Sequence, residues 1–145
     1  VDPALAELRL PVGTDLAGLE RIVEQLDEFW AHHELDPSVQ ADLNIAIEEM
    51  LSNVMRHNSA GADIQLQAVV YADKVKVEIR DRGRPFDPLA HPAPDVQAPL
   101  EQRRGGGLGI FLTIRLMDET SYERVDGENR FRMERQRRPR PAPRG

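Results

Sequence analysis

Apolar side chains along this chain recur with two different periods, and the points where the period changes divide it into elements. Leu8-Arg9-Leu10-Pro11-Val12 alternates, which is the pattern of a strand with one face on a core. Pro11 has no N–H to give to a ladder, so this strand belongs at a sheet edge. The period then lengthens. Leu16, Leu19, Ile22, Val23, Leu26, Phe29 and Trp30 form one stripe, which predicts a first helix from a cap at Thr14 or Asp15 to about His33. Asp36-Pro37 is a helix start, a capping carboxylate followed by proline where no N–H is needed, and it launches a second helix from Pro37 to about His57. Ala46, Ile47, Met50, Leu51 and Val54 supply its buried face, and Asn58-Ser59-Ala60-Gly61 ends it.

Alternation returns over Asp63 to Tyr71 and Lys74 to Asp81, two runs joined by Ala72-Asp73 and read as a hairpin. From Arg82 to Arg104, Pro85, Pro88, Pro92, Pro94 and Pro99 exclude a long helix or a central strand, and a stretch of this length inside a small domain points to a functional loop. Gly105-Gly106-Gly107-Leu108-Gly109 closes it. Ile110, Phe111, Ile114 and Met117 then predict a third helix ending near Asp118. Thr120 to Val125 and Asn129 to Glu134, joined through Asp126-Gly127-Glu128, form a second hairpin. The arginine- and proline-rich remainder has no apolar area to bury, so the expected organisation is one domain over 1–134 and a disordered basic tail over 135–145.

Charge sharpens this picture. The net charge of -6 over 145 residues conceals six arginines and one glutamate after position 131, which leaves 13 basic against 24 acidic residues before it. An acidic body argues against nucleic acid as a direct partner, since binding phosphates in bulk requires a basic surface. The absence of cysteine removes disulfides, thiol nucleophiles and cysteine metal sites. No apolar run approaches the roughly 20 residues of a membrane span, and Val-Asp-Pro-Ala-Leu lacks the regions of a signal peptide, so a cytoplasmic protein with no membrane partner is expected.

Three short patterns carry candidate chemistry. Glu49 and Asn53 stand one helical turn apart, a carboxylate and a carboxamide pointing the same way; such a pair alone is most often a solvated face. Asp81, at a strand end, can accept from an exocyclic amine, and Gly83 lets the backbone pass close to a flat ring. The glycine cluster is neither of the familiar phosphate loops: a dinucleotide fingerprint needs glycine where Ile110 stands, and a Walker loop needs Gly-Lys, while the only lysines are Lys74 and Lys76. Bare N–H groups at a helix N-terminus can nonetheless cradle an anion.

The order of these patterns resembles the ATP-binding domain of the GHKL superfamily over nearly the whole chain. Within it, Asp-x-Gly-x-Pro-Phe-Asp-Pro at 81–88 and Leu116-Met117-Asp118-Glu119 are similar to the bacterial anti-sigma-factor serine kinases. The resemblance implies a two-layer α/β (α+β) sandwich, with a mixed, mostly antiparallel sheet packed on one side by three helices. It implies ATP and Mg²⁺ as cofactors, with Glu49 as catalytic base and Asn53 as the metal ligand. It also implies that Asp81 and Gly83 meet the adenine and that Arg104, Gly105, Gly107 and Gly109 meet the phosphates. Arg103 could add charge beside Arg104. Glu48 is excluded as the base only by spacing, and His57, one turn beyond Asn53, is expected to be structural.

What the resemblance implies for function is a protein serine kinase that phosphorylates a STAS-domain anti-anti-sigma protein and otherwise sequesters a sigma factor, with a homodimer as the associated state. Two alternatives stand beside it: a nucleotide-gated binding module without phosphoryl transfer, and the ATP-binding domain of a larger histidine kinase or regulator. The chain departs from the family pattern at Asn129-Arg130, where many members carry Gly-Thr with the threonine near adenine; Asn129 is expected to substitute as a polar contact.

Overall fold

A computed structural model describes residues 3–13, 15–57, 63–90 and 107–139. The elements run β1 (Ala6–Val12), α1 (Leu16–His32), α2 (Pro37–His57), β2 (Ile64–Val70), β3 (Lys74–Asp81), a 3-10 turn (Pro88–Ala90), α3 (Gly107–Leu116), β4 (Glu119–Val125) and β5 (Glu128–Gln136). One five-stranded sheet has the order β1-β2-β3-β5-β4, and β1, with Pro11, lies at its edge as its sequence predicts.

The starts of α1 and α2 have local causes. Asp15 caps α1 by accepting from the Gly18 N–H at 2.7 Å. Position 18 has no room for a side chain, because a Cβ there would sit 2.8 Å from the Gly13 carbonyl oxygen. Asp36 accepts from the Ser38 N–H at 2.8 Å, and Pro37 occupies the first position of α2. The β4–β5 hairpin turns through Asp126 (φ 51°) and Gly127 (φ 79°), the two left-handed residues that a tight turn of matching twist requires.

The alternating positions of the sheet face the helices. Leu66, Val77, Ile79, Phe131 and Met133 from the strands and Leu26, Trp30, Leu43, Ile47 and Leu51 from α1 and α2 form one buried core. Trp30 donates its indole N–H to Asn44 Oδ1 at 2.9 Å, so the one polar atom of that side chain is satisfied between α1 and α2. No helix among the described residues is long and apolar enough to cross a membrane.

Two details differ from expectation. All four strand pairings are antiparallel, where a sheet with some parallel pairing was expected. The chain leaves β3, crosses through α3 to the outer position β4, and hairpins back so that β5 fills the gap; β3 and β4 run parallel but never touch. The last strand also passes the expected boundary at Glu134. Arg135 is buried, with 1% of its side chain exposed, and its guanidinium meets Asp42 at 3.0 and 3.2 Å. Arg137 donates to the carbonyls of Tyr71 and His33 at 2.9 and 2.8 Å. These arginines read as a solvated tail because arginine is rarely buried unless paired, and the pairing partner lies 93 positions away. Residues 140–145 of the expected tail lie outside the described residues.

Candidate nucleotide site

The site is built on one strip of α2. Glu49, Asn53 and His57 follow at successive turns of that helix, facing the start of α3 and the end of β3. Asn53 is 2% exposed, and its Oδ1 is buried with no hydrogen-bond partner among the described residues. Buried acceptors are ordinarily paired with protein, ordered water or a ligand, so this oxygen is available to a partner beyond the described residues.

Glu49 is half-buried against Gly109 on the first turn of α3. A Cβ at 109 would collide with Glu49 Oε2 and stand 3.2 Å from its Cδ, so glycine is the residue that lets the carboxylate reach this turn. Gly107 opens α3, and the first N–H groups of a helix have no partner within it. Thr113 ties the turn from beneath, its hydroxyl donating to the Gly109 carbonyl at 2.9 Å. Arg103, Arg104 and Gly105 lie outside the described residues, as does most of the proline-rich loop.

Asp81 ends β3, 6% exposed, and its Oδ1 accepts from the Gly83 N–H at 2.9 Å and from Asn129 Nδ2 at 3.1 Å. Asn129 lies directly opposite in β5 and is itself fully engaged. Its Nδ2 also donates to the Arg84 carbonyl at 2.8 Å, while its Oδ1 accepts from the Tyr122 hydroxyl at 2.6 Å and the Phe86 N–H at 3.3 Å. The expectation that Asn129 contacts the nucleotide in place of a threonine is therefore corrected: four protein contacts use its hydrogen-bonding capacity, and it acts as the anchor of the 81–86 turn. Arg124 supports the same turn, donating to the Gly83 carbonyl at 2.7 Å.

Met50, Asn53, Val54, Asp81, Tyr122 and Phe131 help to line a cavity here of about 20 Å³, closed on one side by Phe86 stacked on His57. That is room for about one water molecule. A larger concavity, about 420 Å³, lies on the opposite face of the sheet among Tyr71, Lys76, Glu78 and Arg132. None of the motif residues lines it, and Glu78 and Arg132 pair with each other there at 2.6 Å, whereas Asn53 and Asp81 line the smaller cavity.

Glu49, Asn53, Asp81, Gly83, Gly107 and Gly109 thus surround one end of the sandwich. Missed by sequence reasoning were Tyr122, Arg124 and Phe86 as the residues that hold the turn. Asp-x-Gly-x-Pro-Phe carried a signal for Phe86, whereas the two β4 residues are found only through strand register.

An α+β sandwich with these motifs at the ends of α2, β3 and α3 defines a nucleotide-binding domain. A sequence profile of the histidine kinase-like ATPase domain matches residues 12–135, and the chain belongs to that family. Among its relatives, the serine-protein kinase RsbW of Staphylococcus epidermidis is 30% identical over 129 residues, 83% of this chain and 80% of the relative. The RsbW serine-protein kinase of Listeria monocytogenes serovar 1/2a is 35% identical over 93 residues, which span 59% of this chain and 59% of the length of that relative. Among solved structures, the RsbU and RsbW domains of a Mycobacterium tuberculosis protein superpose with a TM-score of 0.66 at 21% identity, covering 92% of this chain and 33% of that one. The SiaB-SiaC complex from Pseudomonas aeruginosa gives 0.58 at 19% identity, with 92% and 90% covered. At these identities the structural likeness is one of fold.

Proposed function

We propose that this chain is an ATP-dependent protein serine kinase that acts on a STAS-type anti-anti-sigma protein and, in its other partner state, sequesters a sigma factor. The observation that carries the reading is the buried Oδ1 of Asn53, without a partner among the described residues and one turn from Glu49. Among the described residues no group of three or more His, Cys, Asp or Glu could hold a metal. A lone amide oxygen fits Mg²⁺, a hard cation that takes few protein ligands and completes its shell with phosphate and water. Bound there, Mg²⁺ would supply charge neutralisation at the phosphates.

In this reading the open N–H groups of Gly107 and Gly109 orient the phosphates, Asp81 accepts from the adenine amine, and Gly83 passes beside the ring. Arg104 and Gly105 belong to the same phosphate-binding set. Glu49 takes the proton of the attacking serine hydroxyl as its oxygen bonds to the γ-phosphorus and ADP leaves with the bridging oxygen. Gly109 is what lets Glu49 stand beside the phosphate cradle. The kinship with serine-protein kinases supports the reaction class, and the STAS antagonist, the sigma factor and a homodimer are proposed on the resemblance described above.

The test is incubation with Mg²⁺-ATP and candidate antagonists. Phosphoserine on the antagonist, lost when Mg²⁺ is chelated, is the expected result. If the protein binds both ATP and antagonist and mass spectrometry finds no phosphoserine, the kinase assignment is overturned.

A further inference from the structure

We infer that Tyr122 and Asn129 are positioning residues that set base selectivity, by holding the Asp81 carboxylate in the one orientation that favours a purine with an exocyclic amine. The inference deepens the ATP reading and rests on it. It begins with the amide of Asn129, whose two faces meet different chemistry. Nδ2 points at two acceptors, Asp81 Oδ1 and the Arg84 carbonyl, while Oδ1 receives the Tyr122 hydroxyl and the Phe86 N–H. Turning the amide over would set its oxygen against two oxygens and its NH₂ against the Phe86 N–H. Asp81, the Arg84 carbonyl and the Phe86 N–H therefore fix which way the amide faces, and the Tyr122 hydroxyl, through the shortest of the four contacts at 2.6 Å, holds it in place.

The consequence falls on Asp81. Both hydrogen bonds it receives from the described residues end on Oδ1. One comes from the Gly83 N–H two residues on, and the other from Asn129 directly across the sheet. Those two donors fix the carboxylate plane and leave Oδ2 as the oxygen that can take a ligand's hydrogen. Both residues are 6% exposed, so water competes little. A base offering N–H at this point gains a hydrogen bond to a charge, and one offering a carbonyl oxygen meets a carboxylate. A site built in this way discriminates against the analogue that lacks the donor far more strongly than apolar lining can.

The Tyr122–Asn129 pair touches no reacting atom. Its loss should weaken base reading and leave phosphoryl transfer alone. The experiment titrates the whole chain with ATP and with purine riboside triphosphate, which lacks the 6-amine, for the unmodified protein and for Tyr122→Phe. Asn129→Ala is run alongside, with thermal melting to check folding. Expected is a preference for ATP of about tenfold or more in the unmodified protein, falling about threefold or more in Tyr122→Phe. Affinity for the amine-free analogue should be unchanged, and in the kinase assay KM for ATP should rise with kcat held. A loss of affinity that is equal for both nucleotides would mark Tyr122 as merely structural and overturn the inference, as would no loss at all. If the unmodified protein binds neither nucleotide, the ATP reading itself fails. Because Tyr122→Phe removes a single hydroxyl from a half-buried ring, the comparison holds even if Asn129→Ala does not fold.

Discussion

Phe86 lies almost flat on His57, with ring centroids 3.9 Å apart and planes 17° from parallel. The stack joins the turn after β3 to the last turn of α2 and closes a cavity of about 20 Å³. Small-molecule sites run to about 300 Å³ and upward, so on the proposed ATP reading a base is expected to enter by parting the stack. Such a contact is worth about 0.5–1.5 kcal/mol beyond its buried area. His57→Ala is therefore expected to tighten ATP binding by roughly two- to tenfold, since the closed form loses a contact that the open form does not make. Calorimetric titration of both proteins checks this, and weaker binding by the variant would place His57 among the nucleotide's own contacts.

Asn53 and Glu49 should separate binding from chemistry. Asn53→Ala removes an acceptor that has no partner among the described residues, so the stability of the free protein should change by no more than about 1 kcal/mol while Mg²⁺-dependent ATP affinity is lost. Glu49→Gln should keep ATP and partner binding and lose phosphoryl transfer by roughly 10²-fold or more, with Glu48→Gln far milder. Thermal melts beside single-turnover assays give both answers. Full Mg²⁺-ATP affinity in Asn53→Ala would remove the metal role.

Arg135 is the strongest test of where the domain ends. Its guanidinium is buried against Asp42 and also donates to the carbonyls of Gln136 and Arg138 at 2.7 and 3.1 Å. Arg135→Met should destabilise the protein by about 3 kcal/mol, because Asp42 and two carbonyls lose their donor. A chain cut after 134 should melt far below one cut after 139. Equal melting of the two truncations would return Arg135 to the tail.

How much was legible in advance follows from how local each signal is. The start of α2 was readable because Asp36-Pro37 contains its own cap, and the β4–β5 turn because Asp126-Gly127 suits two left-handed residues. Glu49 and Asn53 could be paired by helical spacing alone. Asn129 could not be understood in that way: its role depends on lying across from Asp81, and register between strands 48 positions apart leaves no mark in either segment. Arg135 was misplaced for the same reason, since composition describes a residue and burial describes its neighbours. The stack of Phe86 on His57 joins two motifs that were each seen singly.

The outer face of the sheet predicts a response to acid. Burial pushes the Glu78 carboxyl up, but hydrogen bonds from Arg80 and Arg132 outweigh it, and the group is held below its ordinary value. A lowered carboxylate contributes stability that is present above its unfolded pKa and lost as pH falls through the folded one. Melting temperature should therefore drop on acidification below the ordinary carboxylate range. In Glu78→Gln that acid limb should be shallower. Urea titrations of both proteins between pH 3 and 7 check it, and parallel curves would assign the acid loss to other carboxylates.

The position of β5 between β3 and β4 has a consequence for synthesis. A ribosome releases the strands in sequence order, so the strand that fills the gap between β3 and β4 emerges after every other strand described. Until residue 136 is free, β3 has one bare edge, and β4 has no neighbour at all. An unpaired edge beside an apolar face is an aggregation hazard, and the nascent chain carries one for as long as β5 is still threaded through the exit tunnel. Residues that cap α1 and α2 act early, while the hydrogen bonds that assemble the Asp81 turn wait for Asn129 to be delivered. The Asp81 turn is thus among the last parts of this sheet to assemble.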